Sequence, residues 1–139
     1  MIILDTNLIS ELISDTPHER VMEWLATFPA QSLYLSSITV AEMRYGVELM
    51  AEGKRRAALE ESINALIERE YENRILPFDH LAGDIYGVLA ARLRRRGVNI
   101  DQNDAMIAAI ALRYDIPVAT RNVKHFAPCG VTVINPFEK

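Results

Sequence analysis

The sequence predicts an α/β domain in which helices cover a parallel sheet. Short apolar runs bounded by polar residues alternate with longer segments of helical period, as strand–helix–strand units require. The first run, Ile2-Ile3-Leu4, is apolar at every position, which suits a strand buried on both faces. The 139 residues, half of them hydrophobic (50%), suit a single domain over residues 1–139 whose core needs neither disulfides nor structural metal.

After the Ile2-Leu4 strand comes Asp5-Thr6-Asn7, where Thr6 or Asn7 is expected to cap a helix over Leu8 to Ile13. Thr16-Pro17 is a turn, and a second helix is expected from Glu19 to Phe28, with Val21, Trp24, Leu25 and Phe28 on one side. Leu33-Tyr34-Leu35-Ser36 is the next strand. Ser37 or Thr39 then opens a helix through Met50, which Gly53 stops. Met22, Trp24, Leu49 and Met50 are candidates for a protein interface or for the core.

Lys54 to Tyr71 is helical by its stripe of Leu59, Ile63, Leu66, Ile67 and Tyr71. Ile75-Leu76-Pro77-Phe78 is a third strand, placed at an edge by Pro77. Asp79 caps a helix carrying Leu81, Ile85, Val88, Leu89 and Leu93, and Gly97 ends it. A further helix starts near Asn103 or Asp104. Its body, Ala105 to Leu112, is apolar nearly all round and so is expected to be buried. Val118-Ala119-Thr120 and Val131-Thr132-Val133-Ile134 complete the strands.

Composition narrows the function classes. Charged residues make up 24% of a chain with no low-complexity segment, which excludes a disordered or collagenous protein. A single cysteine, Cys129, permits neither an internal disulfide nor a thiolate zinc site, and a reducing cytoplasm is expected. The opening residues do not read as a signal peptide, and no run approaches a membrane span. The net charge of −4 argues against binding nucleic acid through a general basic field. A nucleic-acid substrate would need a local cationic patch or a metal.

In an open parallel sheet, ligands bind beyond the carboxyl ends of the strands. Here those positions carry acids or amides. Asp5 follows the first strand, Glu42 lies in the first turn of the helix after the second, and Asn122 sits just past Thr120. Asp104 heads the apolar helix that leads into the Val118 strand. Converging acids of this kind raise one another's pKa unless a cation joins them, and an all-oxygen set suits Mg²⁺ or Mn²⁺. Each acid also has a structural reading. Asp5 suits a helix cap, Thr39-Val40-Ala41-Glu42 has capping-box spacing, and Asp104 in a first turn suits the helix dipole. Caps do not require all of them to fall on one sheet edge.

A cation held by Asp5 and Asp104, with Glu42 orienting or deprotonating a water, is chemistry suited to hydrolysing a phosphodiester. Thr120 fits a supporting hydroxyl better than a nucleophile, and Asn7 either bonds to the site or caps a helix. Arg92, Arg95 and Arg96 share a helix face by spacing and are candidate substrate contacts, with Arg94 pointing elsewhere. The same arginines also suit a helix carboxyl end. The glycines form neither a dinucleotide fingerprint nor a phosphate loop. His18, His80 and His125 lack metal-ligand spacing and read as surface or turn residues.

Four blocks carry a family resemblance. These are Ile2-Ile3-Leu4-Asp5-Thr6-Asn7, Leu35 to Glu42, Asn103 to Ala109 and Val118-Ala119-Thr120-Arg121-Asn122. In this order along the whole chain they resemble a PIN-domain ribonuclease of the VapC type, the toxin of a toxin–antitoxin pair. Arg74 to Asp79, together with Asn135-Pro136-Phe137, is most similar to the FitB branch.

The resemblance implies a PIN-like three-layer α/β/α fold around a central, mostly parallel sheet of four to five strands. It implies a Mg²⁺- or Mn²⁺-dependent endoribonuclease in which Asp5, Glu42 and Asp104 bind metal. Asn122 stands where many relatives have Asp, and keeps an oxygen donor without the charge. It implies a homodimer, a cognate VapB- or FitA-like antitoxin, and operator DNA bound only through that antitoxin. Two other readings remain. A phosphoacceptor domain of the receiver type would need an acidic doublet that is missing here, since Thr6 follows Asp5. A catalytically weakened PIN-like binding module is favoured by Asn122 alone.

Overall fold

The computed structural model describes residues 1–138. Five strands form one sheet in the order β3-β2-β1-β4-β5: β1 (Ile2–Leu4), β2 (Leu33–Ser36), β3 (Ile75–Leu76), β4 (Val118–Ala119) and β5 (Val133–Ile134). Every pairing is parallel. β1 sits at the centre, with Ile3 opposite Tyr34 on one side and opposite Val118 on the other. The chain builds outward through β2 and β3, then returns to lay β4 against β1. The strand order therefore reverses at the β1/β4 pair, and the carboxyl ends of those two strands are where an open α/β sheet of this kind binds its ligands.

Helices cover both faces, giving three layers. α1 (Thr6–Leu12), α2 (Glu19–Ala26), α3 (Ser37–Glu48) and α4 (Lys54–Ala65) supply the residues that pack with Ile2, Leu4, Leu33 and Leu35. α5 (His80–Arg95), α6 (Gln102–Tyr114) and α7 (Val123–Phe126) pack on the other face around Ile3 and Val118. Successive β1 residues thus serve opposite cores, and Ile3 and Leu4 are fully buried (0% exposed). Truncating either to Ala removes about 2–5 kcal/mol. In α6, Ala105, Ala108, Ala109 and Ala111 are all buried; their small side chains let it run close against α5.

Several expectations are corrected. α1 begins at Thr6 with Asp5 as its N-cap, earlier than Leu8, because the Asp5 carboxylate is the acceptor that reaches the Thr6 N–H. α3 ends at Glu48, and Gly53, at φ 151°, precedes α4 instead of stopping α3. The expected Lys54–Tyr71 helix changes period: after Ala65 it widens into a π turn over Leu66–Glu70, closed by the Tyr71 N–H donating to the Leu66 carbonyl. β3 and β5 are two residues each, shorter than expected, although β3 is at an edge as Pro77 required.

On α5, Leu89 and Leu93 are buried and Ala82 joins them, while Leu81 and Val88 are 41% and 68% exposed. Met22, Trp24 and Met50 pack on the core, whereas Leu49 is exposed. α6 starts at Gln102, capped by Asp101, whose Oδ1 accepts from the Asn103 N–H. Asp79 does cap α5, accepting from Ala82 N at 2.9 Å, and Gly97 at φ 72° ends it. Among the described residues, no helix is long and apolar enough to cross a membrane.

Candidate active site

At the strand reversal Asp5 is linked to Glu42 through Thr6 and feels the charge of Asp104, three of the acids that the sequence singled out. Asp5 leaves β1 and is almost wholly buried (3% exposed). Its Oδ2 accepts from the Thr120 hydroxyl at 2.7 Å and from the Asn7 amide at 3.1 Å, and its Oδ1 accepts from the Thr6 N–H at 2.8 Å. Thr120, just past β4 and itself fully buried, also accepts from the Asn122 N–H at 2.9 Å and from the Asn7 amide at 3.2 Å. Thr120 is thus a supporting hydroxyl, and Asn7 bonds into the site.

Burial pushes the Asp5 carboxyl up to about 6, against the lowering effect of the Thr120 and Thr6 hydrogen bonds; the charges of Asp104 and Glu42 raise it further. Those two acids therefore share the Asp5 electrostatic environment.

Glu42 reaches the site from α3. Its Oε1 accepts from the Thr6 hydroxyl at 2.8 Å, and that hydroxyl lies 3.0 Å from the Thr39 hydroxyl. The capping-box reading of Glu42 does not hold. Ser36 is the N-cap of α3, its Oγ accepting from Thr39 N at 3.0 Å, so Glu42 lies in the second turn, not the first. Asp104 occupies the first turn of α6 without capping it, because Asp101 holds that role. Its Oδ2 lies 2.7 Å from His125 Nδ1. Burial raises the Asp104 carboxyl, the His125 hydrogen bond lowers it, and the nearby Asp101 charge raises it.

His125 and Thr6 are the partners that sequence reasoning missed. His125 is at the surface, as its sequence reading had it, but it also meets Asp104, which stands 21 positions away with no local pattern to link the two. Thr6, inside the opening Asp-Thr-Asn run, carried the only sequence signal. Asn122 is exposed and does not cap α7 with its side chain; its backbone N–H is what joins the site.

The arginines are spread around the α5 carboxyl end. Arg92, Arg95 and Arg96 are exposed. Arg92 does share a neighbour with the acids. Burial and the Asp104 charge push the Cys129 thiol up to about 11, and Arg92 pulls it back. Arg94 instead lines an open groove of about 610 Å³ where the end of α5 meets the start of α6.

The side chains around Asp5 offer oxygen donors, and the charges of Asp104 and Glu42 raise the buried Asp5 carboxyl, chemistry that suits a hard divalent cation. Among the described residues no three His, Cys, Asp or Glu side chains are grouped closely enough to hold an ion together. Glu42 Oε1 is engaged by Thr6 and Asp104 Oδ2 by His125. A cation here would rest on one or two carboxylates and several waters, the manner in which Mg²⁺ is held.

The PIN domain family model matches residues 2–127. The chain belongs to the PIN domain family. Over 99% of both chains this PIN protein is 41% identical to Toxin FitB of Neisseria gonorrhoeae and 40% identical to VapC ribonuclease Y4jK of Sinorhizobium fredii. Among solved structures it resembles FitAcB from Neisseria gonorrhoeae, with a TM-score of 0.92, 40% identity and full coverage of both chains. It matches FitAB bound to an IR36 DNA fragment with the same score and 41% identity, covering 100% of this chain and 97% of that one. The three-layer architecture with a central parallel sheet is that of these PIN neighbours.

Proposed function

We propose that this PIN protein is a Mg²⁺- or Mn²⁺-dependent endoribonuclease, the toxin of a toxin–antitoxin pair, and that Asp5, Glu42, Asp104 and Asn122 form its catalytic and metal-binding set. The observation that carries the reading is the pairing of Asp5 with Thr120 at the strand reversal, in a site that also receives the charges of Glu42 and Asp104. Identity to a relative named as a ribonuclease, over nearly the whole chain, supports it.

Asp5 and Asp104 would hold the cation, with Glu42 and Asn122 offering further oxygens. When bound, such a cation neutralises charge on a phosphodiester and makes a water easier to deprotonate. The chain's own residues do the rest. Thr120, Asn7 and the Thr6 N–H fix the Asp5 carboxylate from three directions, so it is already oriented before substrate arrives. His125 orients Asp104 in the same way. Glu42 is held through Oε1 by Thr6, which leaves Oε2 to accept a proton from the attacking water. Arg92, Arg95 and Arg96 are the candidate substrate-binding groups; Thr120, also a sequence candidate for that role, is fully buried with its hydroxyl engaged by Asp5 and serves as support instead.

The partners follow from relatives whose structures are complexes. We expect a cognate VapB- or FitA-like antitoxin, operator DNA contacted only through it, self-association into a homodimer, and residence in the cytoplasm. Asn122, a neutral residue at an acid position, favours a second reading as a weakened binding module. Incubation of the purified protein with structured RNA separates the two: cleavage with manganese that EDTA abolishes supports the nuclease, and binding without cleavage in either condition supports the module.

A further inference from the structure

We propose that Arg121, its guanidinium stacked on Phe137 at the rim of the acidic site, grips a backbone phosphate of the RNA strand beside the scissile bond. This rests on the nuclease reading above and adds to it a residue outside the candidate set. Arg121 follows Thr120 directly. Its backbone N–H donates to Asn7 Oδ1 at 3.2 Å, and the amide of the same Asn7 donates to Asp5 Oδ2. The Arg121 backbone is thus fixed to the residue that touches the catalytic carboxylate.

The side chain turns outward onto an aromatic ring, its guanidinium carbon 3.7 Å from the Phe137 centroid. That ring is itself held. The Phe137 N–H donates to Asn135 Oδ1 at 3.0 Å, Pro136 before it is buried, and the His18 ring meets it edge-on at 5.2 Å. This is the Asn135-Pro136-Phe137 ending, which the catalytic set leaves without a role.

Three other arginines are engaged structurally, whereas Arg92, Arg94, Arg95 and Arg96 at the end of α5 are exposed like Arg121 but stack on no aromatic ring among the described residues. Arg56 bridges Glu48 and Glu60, Arg113 pairs with Asp79, and Arg74 donates to the carbonyls of Ala30, Leu33 and Glu70. Among the described residues Arg121 forms no ion pair. A guanidinium lying flat on a ring spends one face and keeps its in-plane N–H fork, the geometry that matches phosphate. Stacking also removes rotamer freedom before the ligand arrives, so less is lost on binding. In a protein of net charge −4 with three acids in the site, a fixed cation at the rim offsets the repulsion that an RNA strand meets there.

The test measures binding of a labelled single-stranded RNA oligonucleotide across salt concentrations, in an Asp5→Asn parent so that the strand stays intact. Adding Arg121→Gln should weaken binding about tenfold and flatten the slope of log affinity against log salt by about 0.7. Phe137→Leu should weaken binding several-fold with the slope kept, since the charge remains while its platform is gone. Arg121→Lys keeps a cation over the ring and serves if the glutamine variant does not fold; it should lose affinity several-fold with its planar fork, and unchanged affinity overturns the contact. An unchanged slope in Arg121→Gln, with a lowered melting temperature, would assign the stack to anchoring the chain end and overturn the inference alone. A parent that binds no RNA overturns the nuclease reading and the inference together.

Discussion

The Thr120 hydroxyl donates to Asp5 Oδ2 across 2.7 Å, joining the ends of two neighbouring strands from residues 115 positions apart in the chain. That bond stabilises the charged form of a carboxylate that burial disfavours. Thr120→Val keeps the shape and removes the donor. It should cost about 1–3 kcal/mol of stability, the loss being larger at neutral than at acid pH, where Asp5 is protonated. Thr120→Ser should restore most of it. Chemical denaturation of the three proteins at both pH values checks this.

Asp5 also sets a pH dependence. Its carboxyl stands at about 6 in the folded protein against an ordinary 3.8, so between those values the folded state holds a proton that the unfolded chain releases. Stability without metal should therefore fall as pH rises through that window, by roughly 3 kcal/mol in all, and level off above it. The raised Asp104 carboxyl acts in the same direction. Asp5→Asn should remove most of the decline and melt higher than the parent at neutral pH. Added manganese should restore stability to the parent more than to the variant. Urea midpoints from about pH 4 to about pH 8 measure both effects.

The sheet was legible because its signal is local. Ile2-Ile3-Leu4 is apolar on both faces, and the alanine-rich body of α6 has no polar side to expose. The caps were harder to read. Asp5, Thr6 and Asn7 are all good capping types, and the structure decides for Asp5, which caps α1 with Oδ1 while its Oδ2 accepts from Thr120. Glu42 was misplaced by a turn because Thr39 matches capping chemistry, although Ser36, three residues earlier, is the residue that caps. Val88 continues an apolar stripe yet lies exposed, since periodicity reports a face and not what covers it. The π turn after Ala65 leaves no trace in residue type, and the His125–Asp104 contact joins two helices that no sequence pattern connects.

His125 is expected to act through Asp104. Its hydrogen bond lowers a carboxyl that burial raises, so His125→Ala should push Asp104 further toward the protonated form. Removing a partner that orients a metal-binding carboxylate costs about 10–100-fold in metal affinity. Calorimetric titration with manganese should show a loss of that size, larger at mildly acid than at alkaline pH.

In the proposed metal-binding set Asn122 would offer a neutral oxygen where a carboxylate would add charge. Asn122→Asp should tighten manganese binding and lower the metal concentration that supports cleavage, because a charged oxygen ligand strengthens the field at the cation. Unchanged or weaker affinity in calorimetry would remove Asn122 from the neighbourhood of the metal.

The most direct test of the proposed site is single-turnover cleavage of RNA in manganese by the parent and by Asp5→Asn. The account predicts that the variant stays folded, with a melting temperature no lower than the parent's, and that its rate falls by about a thousandfold, the loss expected when several kcal/mol of transition-state stabilisation is removed. Asp5→Asn cleaving as fast as the parent would contradict it.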